Sequence, residues 1–234
     1  MKDIRVLINA SPRSGHTWLQ YLLLKSVDFD RSISMGEIED KFIIRTNAPV
    51  ILLGEFKDIV QTTVLRNPVD IIPSIVTKTM GGIGNTVASG IPMPHEYNNL
   101  PSLQRLVDDQ FDVYRRWSGS TIKNIDNLFA FTFDQMTSNP EFVVDYVMSN
   151  FNLPYKKLSN SMLQDLMDEA RKVINQHDKG HPAFNNPLPV DEKPEIYYEI
   201  KQLVESHTRL DEAMELFHFA NKTIIDSQER RLNA

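Results

Sequence analysis

The feature that most constrains this chain lies within its first 27 residues. Ile4–Asn9 (IRVLIN) is short, apolar and β-branched, the pattern of a buried strand. Ser11–Gly15 is turn-forming, and Thr17–Val27 (TWLQYLLLKSV) is apolar almost all round, as a buried helix is. A strand, a tight loop and a helix N-terminus in direct succession form an anion site. The first N–H groups of the helix have no intrahelical acceptor, and the helix dipole adds positive potential there. The loop residues suit that chemistry. Gly15 allows close backbone approach, Ser14 and Thr17 supply hydroxyls, and Arg13 supplies a planar cationic fork for phosphate or sulfate oxygens.

The rest of the chain alternates strand and helix patterns. Phe42–Thr46, Gln61–Leu65 and Leu128–Phe133 read as further strands. After the third strand-like residue run, Asn67 suits an N-cap, Pro68 the first helical position and Asp70 the first turn. Pro73 removes a backbone donor inside that helix and predicts a kink or a short first segment. Gly81–Pro101, rich in Gly, Pro and Asn, reads as a lid or binding loop. Helices are expected over Leu103–Trp117, Glu141–Phe151, Ser159–Asn175 and Lys193–Phe217, with Gln176–Pro189 irregular. The alternation predicts an α/β fold, a central, mostly parallel sheet flanked by helices. The length of 234 residues suits a single domain over 1–234.

Charge and composition narrow the function classes. With 25 Lys and Arg against 31 Asp and Glu, the net charge is −6, which argues against a surface that coats nucleic acid. The chain has no cysteine, so disulfides and thiolate metal sites are excluded. No HExxH pattern or acidic metal cluster is present in the sequence, and no metal is expected. Met1–Ser11 carries no signal-like apolar region. No stretch approaches the ~20 apolar residues that span a bilayer. A cytoplasmic protein without membrane contact is the expectation.

The motif residues themselves carry a resemblance. Ala10–Thr17 is a degenerate phosphate loop, A-x-x-x-x-G-H-T, without the leading Gly and with His16 where a Lys would reach the β- and γ-phosphates. Pro12, Arg13, Ser14, Gly15, His16, Thr17 and Trp18 resemble the 5′-phosphosulfate loop of the PAPS-dependent sulfotransferases, with His16 replacing a Thr. VLRNPVDIIPS resembles the segment of that family that binds the 3′-phosphate, with Arg66 and Ser74 at the matching spacing. FTFDQMTSNP with the later Asn152-Leu153-Pro154 is similar to a further family segment, in which Phe133 stands where Tyr is usual. Lys179-Gly180 resembles the family's late Arg-Lys-Gly, with Asp178 replacing the Arg; a solvated loop lysine is the alternative.

The resemblance implies a P-loop NTPase-like sulfotransferase fold. It also implies PAPS as sulfuryl donor, PAP as product, and a small-molecule or carbohydrate-like acceptor. It implies that Trp18 stacks on the adenine and that the loop amides hold the phosphosulfate. The base is less direct. Arg45-Thr46-Asn47-Ala48-Pro49 matches the family's Lys-Thr-His-Leu-Pro, and Asn47 cannot abstract a proton at neutral pH. Arg45 can still neutralise sulfuryl charge. A second branch of the family uses a Glu after the first helix, which Met35-Gly36-Glu37 resembles, so Glu37 is the leading base. His16 and then His95 follow as candidates. Two other functions fit the same sequence: a P-loop nucleotide or small-molecule kinase, and a non-catalytic PAP-binding module.

Overall fold

The computed structural model describes residues 6–9, 14–27, 43–46, 60–81, 102–149, 155–177 and 195–233. Four strands, β1 (Val6–Asn9), β2 (Ile43–Thr46), β3 (Val60–Leu65) and β4 (Phe129–Thr132), form a sheet in the order β2-β1-β3-β4. All three pairings are parallel, with Ile8 opposite Arg45 and Thr62, and Val64 opposite Phe131. Parallel strands need crossover connections, and helices α1 (His16–Val27), α2 (Pro68–Gly81) and α3 (Leu103–Lys123) lie in the intervening chain.

The period-2 pattern of the strands sorts their side chains to two cores. Val6, Ile8, Val64 and Phe131 face one cluster, which α1 completes with Leu19, Leu22 and Leu23. Helices α5 (Pro140–Met148) and α6 (Asn160–His177) close that layer with Val143, Val147 and Leu163. Leu7, Leu65 and Ala130 face the opposite cluster, shared with α2, α3, α7 (Glu195–Glu205) and α8 (Leu210–Leu232). The sheet is thus covered on both faces, as a parallel sheet requires.

Local chemistry explains the boundaries that differ from the expected ones. Phe133 is not the last residue of β4. It opens a short helix α4 (Phe133–Ser138), because Thr132 and Gln135 form a capping box: Gln135 N donates to Thr132 Oγ1 at 3.1 Å and Thr132 N to Gln135 Oε1 at 3.0 Å. The expected single helix over Lys193–Phe217 is two helices. Between them the Arg209 N–H donates to His207 Nδ1 at 3.1 Å, so a side chain takes a donor that a continuous helix would use. His207 is held there by Asp108 of α3 (2.6 Å) and by the stacked Phe111 ring (4.4 Å). Helix α2 runs through Pro73 without ending. Its start is as expected: the Val69 N–H donates to Asn67 Oδ1 at 2.9 Å. The expected lid from Gly81 lies, after that residue, outside the described residues.

Among the described residues β4 is an edge of the sheet, and α8 packs along it. Gln228 Nε2 donates to the Ala130 carbonyl at 2.8 Å, and the Gln228 and Gln135 amides bond one another at 3.0 and 3.3 Å. Arg231 stacks over Phe129 at 4.3 Å and donates to the Asp126 carbonyl at 2.7 Å. An exposed edge is a template for unwanted pairing, and this helix removes it.

Two substitutions test this reading by thermal denaturation. Gln228→Ala strands the buried Ala130 carbonyl, removes a partner from the half-buried Gln135 amide, and should cost about 1–3 kcal/mol. Gly119 lies inside α3 with nothing within 4 Å of where a Cβ would stand. Gly119→Ala should therefore stabilise the protein by about 0.5–1 kcal/mol, and an unchanged or lower melting temperature would contradict the open setting.

Candidate functional site

The C-terminal ends of β1 and β3 lie side by side, and each runs into a helix N-terminus. In open α/β sheets this is where ligands bind. At β1 the chain enters α1 through Gly15, whose φ of +92° lies in the left-handed region. The Gly15 carbonyl accepts the first helical bonds, from Trp18 N and Leu19 N at 3.0 Å each. A second constraint acts on the same residue. A Cβ at Gly15 would stand 2.5 Å from Met136 Cε and 2.8 Å from Phe133 Cε2. Glycine is required here by the backbone angle and by the α4 side chains packed against it.

At β3 the strand ends on Leu65, and Arg66 follows directly before the α2 cap. The guanidinium carbon of Arg66 lies 4.4 Å from the centroid of the Phe133 ring, a cation–π geometry. Burial pushes the Arg66 guanidinium below its ordinary pKa, while Asp70, Tyr197 and Asp134 oppose that shift. The same neighbourhood acts on Tyr197 of α7, which burial and Asp70 push upward while Arg66 pulls it down. Phe133 is therefore shared by both strand ends. Its ring abuts Gly15, carries Arg66, and lies 6.4 Å from the Trp18 ring at a 47° tilt.

The sequence-predicted residues differ in where they lie. Gly15, Arg66, Ser14 and His16 lie at the two strand ends. Ser14 is buried, and His16 is the half-buried first residue of α1. Thr17 follows in the first turn of α1, and Ser74 is buried two turns into α2. Arg45 lies on β2, in register with Ile8 and so beside β1 near its C-terminal end. Arg13, Glu37, Asn47, His95, Lys179 and Gly180 lie outside the described residues.

Trp18 departs from its expected place. It is 1% exposed and packed in the core with Phe131, Phe133 and Met136, so no ring face is open for an adenine. Its ring joins the buried cluster that α1 shares with α4, where Phe133 lies beside it. Phe133, Asp70, Asp134 and Tyr197 are the members of this neighbourhood that sequence reasoning did not assign to it. The capping-box pattern Thr132-x-x-Gln135 marks the helix start that exposes Phe133's role; Tyr197 has no comparable sequence signal.

These residues suit a guest with two anionic groups. The N-terminus of α1 after Gly15, with its positive dipole end, offers one contact point, and the Arg66 guanidinium offers a second. Asn9, the last residue of β1, is fully buried with neither amide atom hydrogen-bonded, and a polar guest or an ordered water at the strand end would satisfy it. Among the described residues no three His, Asp or Glu side chains are grouped to hold a metal ion. No helix among them is long and apolar enough to cross a membrane.

Gly15→Ala tests the double constraint at the turn. It should destabilise the protein by about 2–4 kcal/mol, from the left-handed angle and from the clash with Phe133 and Met136. That corresponds to a fall of about 5–15 °C in melting temperature. A loss below 1 °C would show that the turn is not held in this conformation.

No protein-family model matches the sequence, and no curated protein does. Among solved structures, the fold is similar to the crystal structure of mouse sulfotransferase SULT7A1 complexed with PAP, with a TM-score of 0.50 and 11% sequence identity. The likeness covers 94% of this chain and 90% of that one. The chain has a sulfotransferase-like α/β fold.

Proposed function

We propose that this protein is a PAPS-dependent sulfotransferase that moves a sulfuryl group to the hydroxyl or amine of a small-molecule or carbohydrate-like acceptor, leaving PAP. The observation that carries the reading is the pairing of an anion cradle at Gly15 with a half-buried cation, Arg66, just past the end of the adjacent parallel strand. The likeness to a PAP-complexed sulfotransferase over nearly the whole chain supports it.

In this reading the loop from Arg13 to Thr17 holds the 5′-phosphosulfate, through its amides at the N-terminus of α1 and the Arg13 fork. Arg66 takes the 3′-phosphate with Ser74, and Lys179-Gly180 closes over it. Glu37 takes the acceptor proton as the acceptor oxygen or nitrogen bonds to sulfur. The sulfur–oxygen bond to the 5′-phosphate breaks, and the phosphate keeps the electron pair. Positive charge from Arg13 and Arg45, with His16 near the leaving phosphate, stabilises the equatorial sulfuryl oxygens. No part of this scheme assigns Trp18 to the adenine. His16 in place of a Walker lysine removes the group that a kinase would use on the β- and γ-phosphates, which favours sulfuryl over phosphoryl transfer.

The deciding experiment is ligand-induced thermal stabilisation. PAP without metal should raise the melting temperature, and ATP with magnesium should not. The reverse pattern would identify a kinase. Arg66→Ala should weaken PAP by about tenfold or more while changing adenosine 5′-phosphosulfate, which lacks the 3′-phosphate, by less than about threefold. In an acceptor screen, Glu37→Gln should abolish turnover and leave PAP affinity intact. Retained turnover would remove Glu37 as the base, and PAP binding without transfer to any acceptor would favour a binding module.

A further inference from the structure

Arg66 is a long side chain at the end of a strand, where a guanidinium normally samples many rotamers. Here one face of the group is covered by the Phe133 ring at 4.4 Å. The ring is itself fixed. It is the first residue of α4, locked by the Thr132–Gln135 capping box, and it is only 8% exposed. Its edge lies against the Gly15 turn, and Trp18 packs beside it at 6.4 Å. We infer that Phe133 is a positioning residue that aims the Arg66 guanidinium and fixes its separation from the Gly15 anion cradle, so that the site selects nucleotides carrying a phosphate at both ends of the ribose.

The inference rests on the proposed PAPS reading and adds the element that sets its selectivity. Stacking leaves the N–H edge of the guanidinium as its only direction for hydrogen bonding, because the face is taken by the ring. Asp70 and Asp134 act on Arg66 as negative charges and favour its charged form. Because one ring touches both the cradle and the cation, the two contact points hold a set separation. A nucleotide that meets one contact point with a bare hydroxyl gains nothing from the second.

Calorimetric binding of PAP and of adenosine 5′-phosphosulfate to four Phe133 variants and to Arg66→Ala tests this, with unliganded melting temperatures recorded alongside. Phe133→Leu keeps apolar volume and removes the π-face. It should weaken PAP by about tenfold and adenosine 5′-phosphosulfate by less than about twofold. Phe133→Tyr keeps the ring and should bind both within about twofold of wild type. Phe133→Met provides the same comparison as Leu with a more adaptable side chain, should the Leu variant melt below the assay temperature. The double variant Arg66→Ala, Phe133→Leu should bind PAP no more weakly than Arg66→Ala alone, since the ring acts through the arginine. Equal weakening of both nucleotides by the Leu and Met variants, or additive losses in the double variant, would reduce Phe133 to a packing role and overturn the inference. A wild-type protein that does not prefer PAP would instead overturn the proposed function itself. A wild-type preference that survives intact in the Leu and Met variants overturns the role of Phe133 alone.

Discussion

The contact between Gly15 and the Phe133 ring is the constraint on which the site depends. A left-handed glycine turns the chain from β1 into α1, and the space its missing side chain leaves is filled by α4. The capping box that opens α4 therefore helps shape a turn more than a hundred residues earlier in the chain. Through the same ring the constraint reaches Arg66 at the next strand. Two strands that pair in parallel are tied together at their ends by one aromatic residue that opens helix α4.

The electrostatics follow from that packing. Burial makes the guanidinium of Arg66 costly to charge, and the carboxylates of Asp70 and Asp134 offset that cost. The cation is kept in a low-dielectric setting, where each interaction with an incoming anion is stronger than in water. Asp70 has a second physical role. It lies in the first turn of α2, where a negative charge is favoured by the helix dipole.

How much of this was legible in the sequence varies with the range of the interaction that decides each feature. The start of α2 could be read from Asn67, Pro68 and Asp70 because capping is local. The parallel sheet could be read from four short apolar runs separated by helical patterns. The break at His207 could not, because its ring is held by Asp108 from 99 residues away. Trp18 had the right neighbours in sequence for a nucleotide platform, yet the packing of α1 against Phe131 and Met136 decides where its ring goes. The pairing of Phe133 with Arg66 is likewise a product of register between β3 and β4, which no local pattern encodes.

The covering of β4 by α8 has a consequence for how the chain acquires its structure. The Gln228–Ala130 bond spans 98 residues, and the Arg231 bonds to Ile125 and Asp126 span 106 and 105. Contacts this remote in sequence form late, since the intervening loop must close first. During synthesis the sheet can assemble through β4 while its outer edge still lacks a cover. Until residue 231 has left the ribosome and the last helix docks, that edge stays open to pairing with a neighbouring chain.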